Sequence, residues 1–230
     1  MDTSLSYGTT VAHADVDTRA TFITRIYLHV VGALLGFTLI EVFLFQSGLA
    51  VPMAEAMLGV SWLFVLGGFV VVGWLASRAA HTATSKPMQY AALVGFVVAQ
   101  AIIFVPLLFV AQFAAPGVIE SAAWVTLLGV TGLTAIAFHT RKDFSFLGGL
   151  LRWGFVVALV LIVAGALFGF ELGTFFSVGM IALAGAAILY DTSNIIHHYP
   201  EDRYVGAALE LFASIALLFW YVLSLFLSRD

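Results

Sequence analysis

The stretch ILYDTSNIIHHYPEDRY, residues Ile188 to Tyr204, interrupts a chain that is otherwise almost continuously apolar. Seventeen apolar or small residues, starting at Thr174, precede Asp191, and the apolar run continues through Ile195 and Ile196. This pattern places an acid inside a helix, about a turn and a half from its end. Because inserting an ionisable group at that depth costs free energy, Asp191 is a candidate functional residue. The alternative is a carboxylate near the headgroups whose salt bridge serves assembly alone.

The composition is that of an integral membrane protein. Of the 230 residues, 62% are hydrophobic and only 10% are charged, and the mean hydropathy is +1.08. Such a chain cannot present a normal solvated surface. Cysteine is absent, which excludes disulfide frameworks, thiolate metal sites and cysteine nucleophiles. The nine Lys and Arg residues are scattered and the net charge is -4, so the clustered basic footprint of a nucleic-acid-binding protein is missing.

Seven apolar runs are long enough to span a bilayer. They cover about residues 25–46, 56–77, 88–112, 118–139, 147–169, 174–197 and 204–228. The connections are short and contain most of the prolines, so none forms a separate domain. Residues 1–20 are polar and lack the basic start and apolar core of a signal peptide, which predicts a disordered tail. The predicted fold is therefore an all-α membrane protein, with a seven-helix transmembrane domain over residues 21–230.

The basic residues predict the orientation of the seven spans. When the spans are laid down alternately, eight of the nine basic residues fall at one end and only Arg229 falls at the other. The positive-inside rule then predicts a cytoplasmic N-terminus and an external C-terminus. Glu41, Glu55, Glu120 and Glu171 fall at the external end, which would mildly concentrate cations there. The alternative is that the external loops simply lack basic residues.

The last two spans bring two acids to the same depth. At about 1.5 Å per residue, Asp191 lies about 8 to 9 Å before the end of the sixth span and Glu210 about 9 Å after the start of the seventh. Two carboxylates that share a dry site cannot both ionise easily, which predicts a site that senses protons or binds a cation such as Ca²⁺. Ser214 lies one turn beyond Glu210 on the same helix face and would add a neutral oxygen. The alternative is that Glu210 points to the headgroups.

Two arginines on the same side are candidates to neutralise Asp191 in a closed state. Arg78 ends the second span and Arg152 begins the fifth. The sequence predicts no enzyme, because it contains no HExxH, GxSxG or GxGD motif. It also predicts no firm metal site, since the spacing around His197 and His198 fits no zinc motif.

Two segments carry a resemblance to a known family. They are RKDFSFLGGLL, residues Arg141 to Leu151, and ILYDTSNIIHHYPEDRYVGAALELF, residues Ile188 to Phe212. Both resemble the Bax inhibitor-1 family of seven-helix membrane proteins, and DTSNII together with the closing SRD is similar to its YccA-like bacterial branch. The resemblance implies a last helix enclosed by the other six and a multi-pass protein of the bacterial inner membrane.

The resemblance also implies two alternative functions. YccA-like proteins are associated with the membrane-anchored FtsH protease as modulators and slow substrates, and the tail Met1 to Thr18 is a segment that such a protease can grip. Other relatives are pH-sensitive calcium leaks gated by two aspartates and an arginine latch. Asp191 matches the first aspartate and Arg78 the latch, but Ser214 stands where the second aspartate would fall. Because of that departure, the predicted function is protease modulation, and a calcium or cation leak is the alternative.

Overall fold

The computed structural model describes residues 10–83 and 85–228, and these residues form a bundle of α-helices without a β-sheet. The helices are α1 Val16–Gln46, α2 Ala50–Leu58, α3 Trp62–Thr82, α4 Lys86–Ala114, α5 Val118–Thr140, α6 Leu147–Phe168, α7 Gly173–His197 and α8 Tyr204–Leu227. All except α2 are long and apolar enough to cross a membrane, which makes seven spans in the described part of the chain. The predicted seven-helix, all-α membrane fold is confirmed.

The helix α2 corrects the predicted start of the second span. Residues 50–58 were divided between a connection and the second span, but they form a separate short helix, and the span itself begins at Trp62. Pro52 lies in the first turn of this helix, where a proline costs little because the amides there lack helical partners. The small side chains of Ala50 and Ala54 are buried in a cluster with Val105 of α4. This contact holds α2 against α4.

The predicted disordered tail over residues 1–20 is too long, because α1 begins at Val16. Asp15 caps the helix, since its carboxylate accepts a hydrogen bond from the Thr18 amide at 3.1 Å. The Thr18 hydroxyl and, to a lesser extent, the Thr18 amide lower the pKa of Asp15, so this cap stays charged at neutral pH. The helix start at Val16 was missed because the residues around it are mostly polar. Residues 1–9 lie outside the described part of the chain.

The residues just before α1 are docked on the connection between α7 and α8. Val11 is fully buried, and its amide donates a hydrogen bond to the Tyr199 carbonyl at 3.1 Å. Thr10 and Pro200 form an antiparallel bridge beside it. We call Thr10–His13 the docked segment. Its docking is not predictable from the sequence, because one buried valine in a polar stretch has no periodicity to detect.

Two helices occupy the interior of the bundle. α8 packs against α1, α3, α4, α5 and α7, so the predicted central position of the last helix is confirmed. α4 packs against α1, α2, α3, α5 and α8. Where the two meet, Phe104 stacks on Phe219 with ring centroids 5.6 Å apart, and its edge meets Trp220 at 5.0 Å. Aromatic side chains thus form the contact between α4 and α8 in the interior of the bundle.

The two ends of the bundle differ in charge. We call the basic end the one formed by the start of α1 and by the α3–α4, α5–α6 and α7–α8 connections. Its predicted cytoplasmic location stays a prediction. At the opposite end Glu55, Glu120 and Glu171 are exposed, whereas Glu41 is buried, with only 7% of it accessible. The sequence gives the depth of Glu41 along α1 but not the direction in which it points.

Two neighbouring glycines show how closely α6 approaches α7. A Cβ atom on Gly148 would lie 3.0 Å from the Tyr190 ring, whereas one on Gly149 would meet nothing within 4 Å among the described residues. Small residues of this kind let transmembrane helices pack closely. Gly148 is therefore needed for packing and Gly149 is not.

We expect Gly148→Val to lower the free energy of unfolding by about 1 to 3 kcal/mol, because the added side chain must displace the Tyr190 ring. Gly149→Val makes the same chemical change on the next residue and should have a much smaller effect. Equilibrium unfolding in mixed detergent micelles measures both. Equal losses would show that helix propensity rather than packing explains the glycines.

Candidate functional site

A large cavity of about 1270 Å³ lies among α3, α4, α6, α7 and α8. Most of its lining is apolar. On α8 it extends from Leu209 to Tyr221, about 18 Å along the helix axis, so it covers much of the height of the bundle. Near the basic end Asp191 and Glu210 both line it, as does Ser214. The two acids, which the sequence predicts at one depth, therefore line one cavity together with Ser214.

Asp191 is held by a hydrogen bond between the last two helices. The Ser214 hydroxyl donates to Oδ2 of Asp191 at 2.6 Å. A donor to a carboxylate favours the charged form, while burial among apolar side chains opposes it. Asp191 is therefore part of the α7–α8 contact rather than a headgroup-facing side chain.

Glu210 has its own partners, which come from α3. The Ser77 hydroxyl donates to Oε1 of Glu210 at 2.5 Å, and Nδ1 of His81 lies 3.7 Å from the same oxygen. Nδ1 also lies 2.9 Å from the Ser77 carbonyl, one helical turn back. With the ring proton on Nδ1 donating to that carbonyl, Nε2 is free to accept a hydrogen bond.

Tyr199 supplies that hydrogen bond and links the site to the basic end. Its hydroxyl lies 3.2 Å from Nε2 of His81. Burial raises the pKa of the Tyr199 phenol well above its usual value, and the carboxylates of Glu210 and Asp191 raise it further. The phenol therefore stays protonated and acts as the donor. Because the Tyr199 carbonyl accepts the amide of Val11, a continuous line of contacts joins Glu210 to the docked segment.

The two arginines occupy different positions. Arg152 lines the cavity together with Asp191 and Glu210, and its Nε donates to the Gly148 carbonyl at 3.2 Å. Arg78 does not line the cavity, and its guanidinium lies over the Trp74 ring, 5.3 Å from the centroid. Within residues 10–83 and 85–228, neither arginine forms an ion pair with the two acids. The latch role of both arginines stays a prediction, and of the two only Arg152 lines the cavity with the acids.

The segments that carried the resemblance contact each other at the basic end. The Phe144 amide donates to the Ser193 hydroxyl at 2.8 Å, and His198 lies 3.0 Å from Asp143. The Ser145 amide lowers the pKa of Asp143, with smaller contributions from the Ser145 hydroxyl and His198. Asp143 is therefore charged at physiological pH, and this α5–α6 connection stays attached to the end of α7.

Comparison with protein families gives the same assignment. Residues 19–230 match the family model described as "Inhibitor of apoptosis-promoting Bax1". The chain belongs to the Bax inhibitor-1 family. The predicted membership is thus confirmed over nearly the whole chain.

Individual relatives differ in how much of the chain they match. The protein named "Modulator of FtsH protease YccA" of Escherichia coli (strain K12) is 40% identical over 116 residues, which cover 49% of this chain and 52% of that protein. The chain thus matches about half the length of this bacterial relative. The "Golgi anti-apoptotic protein" of Vaccinia virus (strain Lister) is 26% identical over 98% of this chain and 92% of that protein. "Bax inhibitor 1" of Schizosaccharomyces pombe is 32% identical over 47% of this chain and 41% of that protein.

In this Bax inhibitor-1 family member the acids alone do not make a complete calcium site. No group of three or more His, Asp or Glu side chains suited to a metal ion occurs in the described part of the chain. Calcium takes six to eight oxygen ligands. Asp191 and Glu210 supply two carboxylates, and each already accepts a hydrogen bond from a serine hydroxyl. A calcium ion at Asp191 would need water for much of its coordination. Calcium or proton binding here stays a prediction.

Sequence reasoning missed three residues of this site, namely Ser77, His81 and Tyr199. Ser77 and His81 are four residues apart at the end of a span, so they lie on one helix face at the depth of Glu210. That spacing was a signal that could have been used. For Tyr199 there was none, because its position depends on how the α7–α8 connection folds back over α3.

We expect Ser214→Ala to lower the free energy of unfolding by about 1 to 3 kcal/mol, because Asp191 loses its donor. Ser224→Ala is the matched control on the same helix, since its hydroxyl bonds only the Trp220 carbonyl of its own helix, at 2.8 Å, among the hydrogen bonds described. Unfolding in mixed micelles compares the two variants. Ser214→Thr, which keeps the hydroxyl, should recover part of the loss. Similar losses for both alanine variants would contradict the role of this hydrogen bond.

Proposed function

We propose that this protein is a multi-pass inner-membrane protein that modulates a membrane-anchored protease of the FtsH type. The proposal is supported by the relationship to YccA, which is named a modulator of that protease, and by one structural observation. That observation is the docked segment Thr10–His13, which is fixed to the basic end of the bundle.

The docked segment gives a physical reason for slow degradation. A protease that pulls its substrate from one end needs an unstructured length of chain to begin. From residue 10 onward this chain is held by the buried side chain of Val11 and by the bond from its amide to Tyr199. Further pulling must first break these contacts, so it meets a local unfolding barrier close to the terminus. A bound chain that resists unfolding occupies the protease and limits its action on other substrates.

The carboxylate site lies where it would influence this barrier. Tyr199 contacts Val11 through its carbonyl and His81 through its hydroxyl, and His81 faces Glu210. Oε1 of Glu210 lies 3.7 Å from Nδ1 of the His81 ring that accepts from Tyr199, so a change at this carboxylate would reach the docked segment through two successive contacts. We place the predicted proton-sensing role of Asp191, Glu210 and Ser214 in this connection.

We expect Val11→Asp to shorten the half-life of the protein by about threefold or more in cells that contain an FtsH-type protease, because a buried charge releases the docked segment. Val16→Asp is the matched control. It makes the same substitution at a residue that is 82% exposed, and its half-life should stay near that of wild type. Pulse-chase measurement with and without the protease decides between the outcomes.

Two further observations complete this test. Deleting residues 2–9 removes the chain ahead of the docked segment and should slow the turnover of wild type and Val11→Asp alike. A longer deletion to Thr18 would also remove Val11 and the Asp15 cap. It would therefore change the stability of the fold as well as the access of the protease to the chain. Unchanged turnover of Val11→Asp, with helix content preserved by circular dichroism, would contradict the proposal.

The alternative, a pH-sensitive calcium or cation leak, makes a different prediction for the large cavity. Under the modulator proposal, proteoliposomes with the wild-type protein should show no more calcium flux than empty liposomes, because Ser214 replaces the second acid. Ser214→Asp restores that acid and should raise the flux if the cavity can conduct. A calcium-sensitive dye inside the liposomes measures both. Strong wild-type flux whose pH dependence is lost in Asp191→Asn and Glu210→Gln would instead support the leak.

A further inference from the structure

A second cavity contains a carboxylate that the proposed function does not use. It has a volume of about 580 Å³ and lies among α1, α4, α5 and α8, away from the basic end. Its lining is apolar except for Thr38, Glu41, Gln112 and Thr126. Of the residues that line it, Glu41 alone is ionisable.

Glu41 is buried and unsatisfied. Only 7% of the residue is accessible, and neither carboxylate oxygen has a hydrogen-bond partner among the described residues. The Thr126 hydroxyl, on the facing helix α5, is likewise buried and unpartnered in that part of the chain. Buried polar groups in folded proteins are nearly always paired, and an acid in a membrane span needs a partner or a proton. Both groups line one cavity, so a single guest can satisfy them.

The cavity opens sideways toward the bilayer. Four apolar residues that line it, Val31, Leu35, Val42 and Leu127, are between 44% and 58% exposed on the outer surface of the spans. These residues belong to α1 and α5, so the opening lies between those helices. A guest therefore enters from the hydrocarbon rather than from water.

The geometry points to a binding site for a lipophilic amine, with its nitrogen at Glu41 and its apolar body in the cavity. No lining residue carries a positive charge, which excludes a carboxylate or phosphate guest. A single carboxylate is too few ligands for a divalent metal ion. The volume is within the range of small-molecule sites, which are mostly apolar with a few placed polar groups.

The charge balance of binding is simple. A neutral amine crosses the hydrocarbon and takes the proton of the Glu41 carboxylic acid, so that an N–H bond forms as the O–H bond breaks. The product is an ammonium–carboxylate pair without net charge. The remaining ammonium hydrogens can bond the Thr126 hydroxyl, which accepts.

A matched pair of probes tests this site in the full-length protein. Naphthylethylamine and naphthylethanol share one apolar body and differ in the amine and hydroxyl groups. In nanodiscs of dioleoylphosphatidylcholine, the amine at about ten times its Kd should raise the thermal midpoint of the wild-type protein by about 3 °C or more. The alcohol should raise it far less. Equal shifts from both probes, or none, would overturn the proposal without any variant.

Variants then assign the preference to Glu41. Glu41→Gln keeps the shape but loses the charge, and should raise the Kd of the amine about tenfold or more. Glu120→Gln is the matched control, because it removes an exposed carboxylate at the same end of the bundle and should leave the Kd unchanged. Ala123→Leu fills the cavity from α5 and should weaken both probes. If Glu41→Gln still binds the amine more tightly than the alcohol, the amine binds elsewhere and its assignment to Glu41 is wrong.

Discussion

The hydrogen bond from Ser214 to Asp191 joins α7 and α8, the pair of helices with the most extensive contact in the bundle. A bilayer offers no water to an acid inside a span, so the partner has to come from another helix. Asp191 finds it on α8, and Glu210 of α8 finds its own on α3, in Ser77. These two bonds require α8 to lie between α7 and α3. The interior position of the last helix is therefore a consequence of polar pairing as well as of apolar packing.

The same requirement organises the basic end. The α7–α8 connection is held from several sides: Lys86 donates to the Asp202 carbonyl, and Nη1 of Arg203 donates to the Ala83 carbonyl at 2.9 Å. With the connection fixed, the Tyr199 side chain reaches inward to His81 while its backbone receives the docked segment. Tyr199 therefore contacts the docked segment through its backbone and, through its side chain, contacts His81, the neighbour of Glu210.

The sequence predicts those features that depend on local hydropathy and on position along a helix. Hydropathy over about 20 residues gives the spans, and the rise per residue gives the depth of each side chain, so the fold and the grouping of Asp191, Glu210 and Ser214 were within reach. The direction in which a side chain points depends on the rotation of its helix against neighbours far away in the chain. For that reason the sequence places Glu41 at the external end without showing that it is buried, and Ser77 and His81 were missed. The docked segment was missed for a related reason, since Val11 is buried by residues 199 and 200 rather than by its own surroundings in the sequence.

The two cavities share a wall, which separates the hydrogen-bonded acids Asp191 and Glu210 from Glu41, an acid unpartnered among the described residues. Phe104 and Ala216 line both cavities, while Trp220 faces the large one and Phe219 the small one. On one side, Asp191 and Glu210 each accept a hydrogen bond from a serine hydroxyl on a neighbouring helix. On the other, Glu41 has no such donor among the described residues, and an acid inside a span needs a partner or a proton. Because aromatic interiors are close-packed, a guest that moves Phe104 must also shift Phe219 or Trp220. The stacked rings between α4 and α8 are therefore part of the wall between the two cavities.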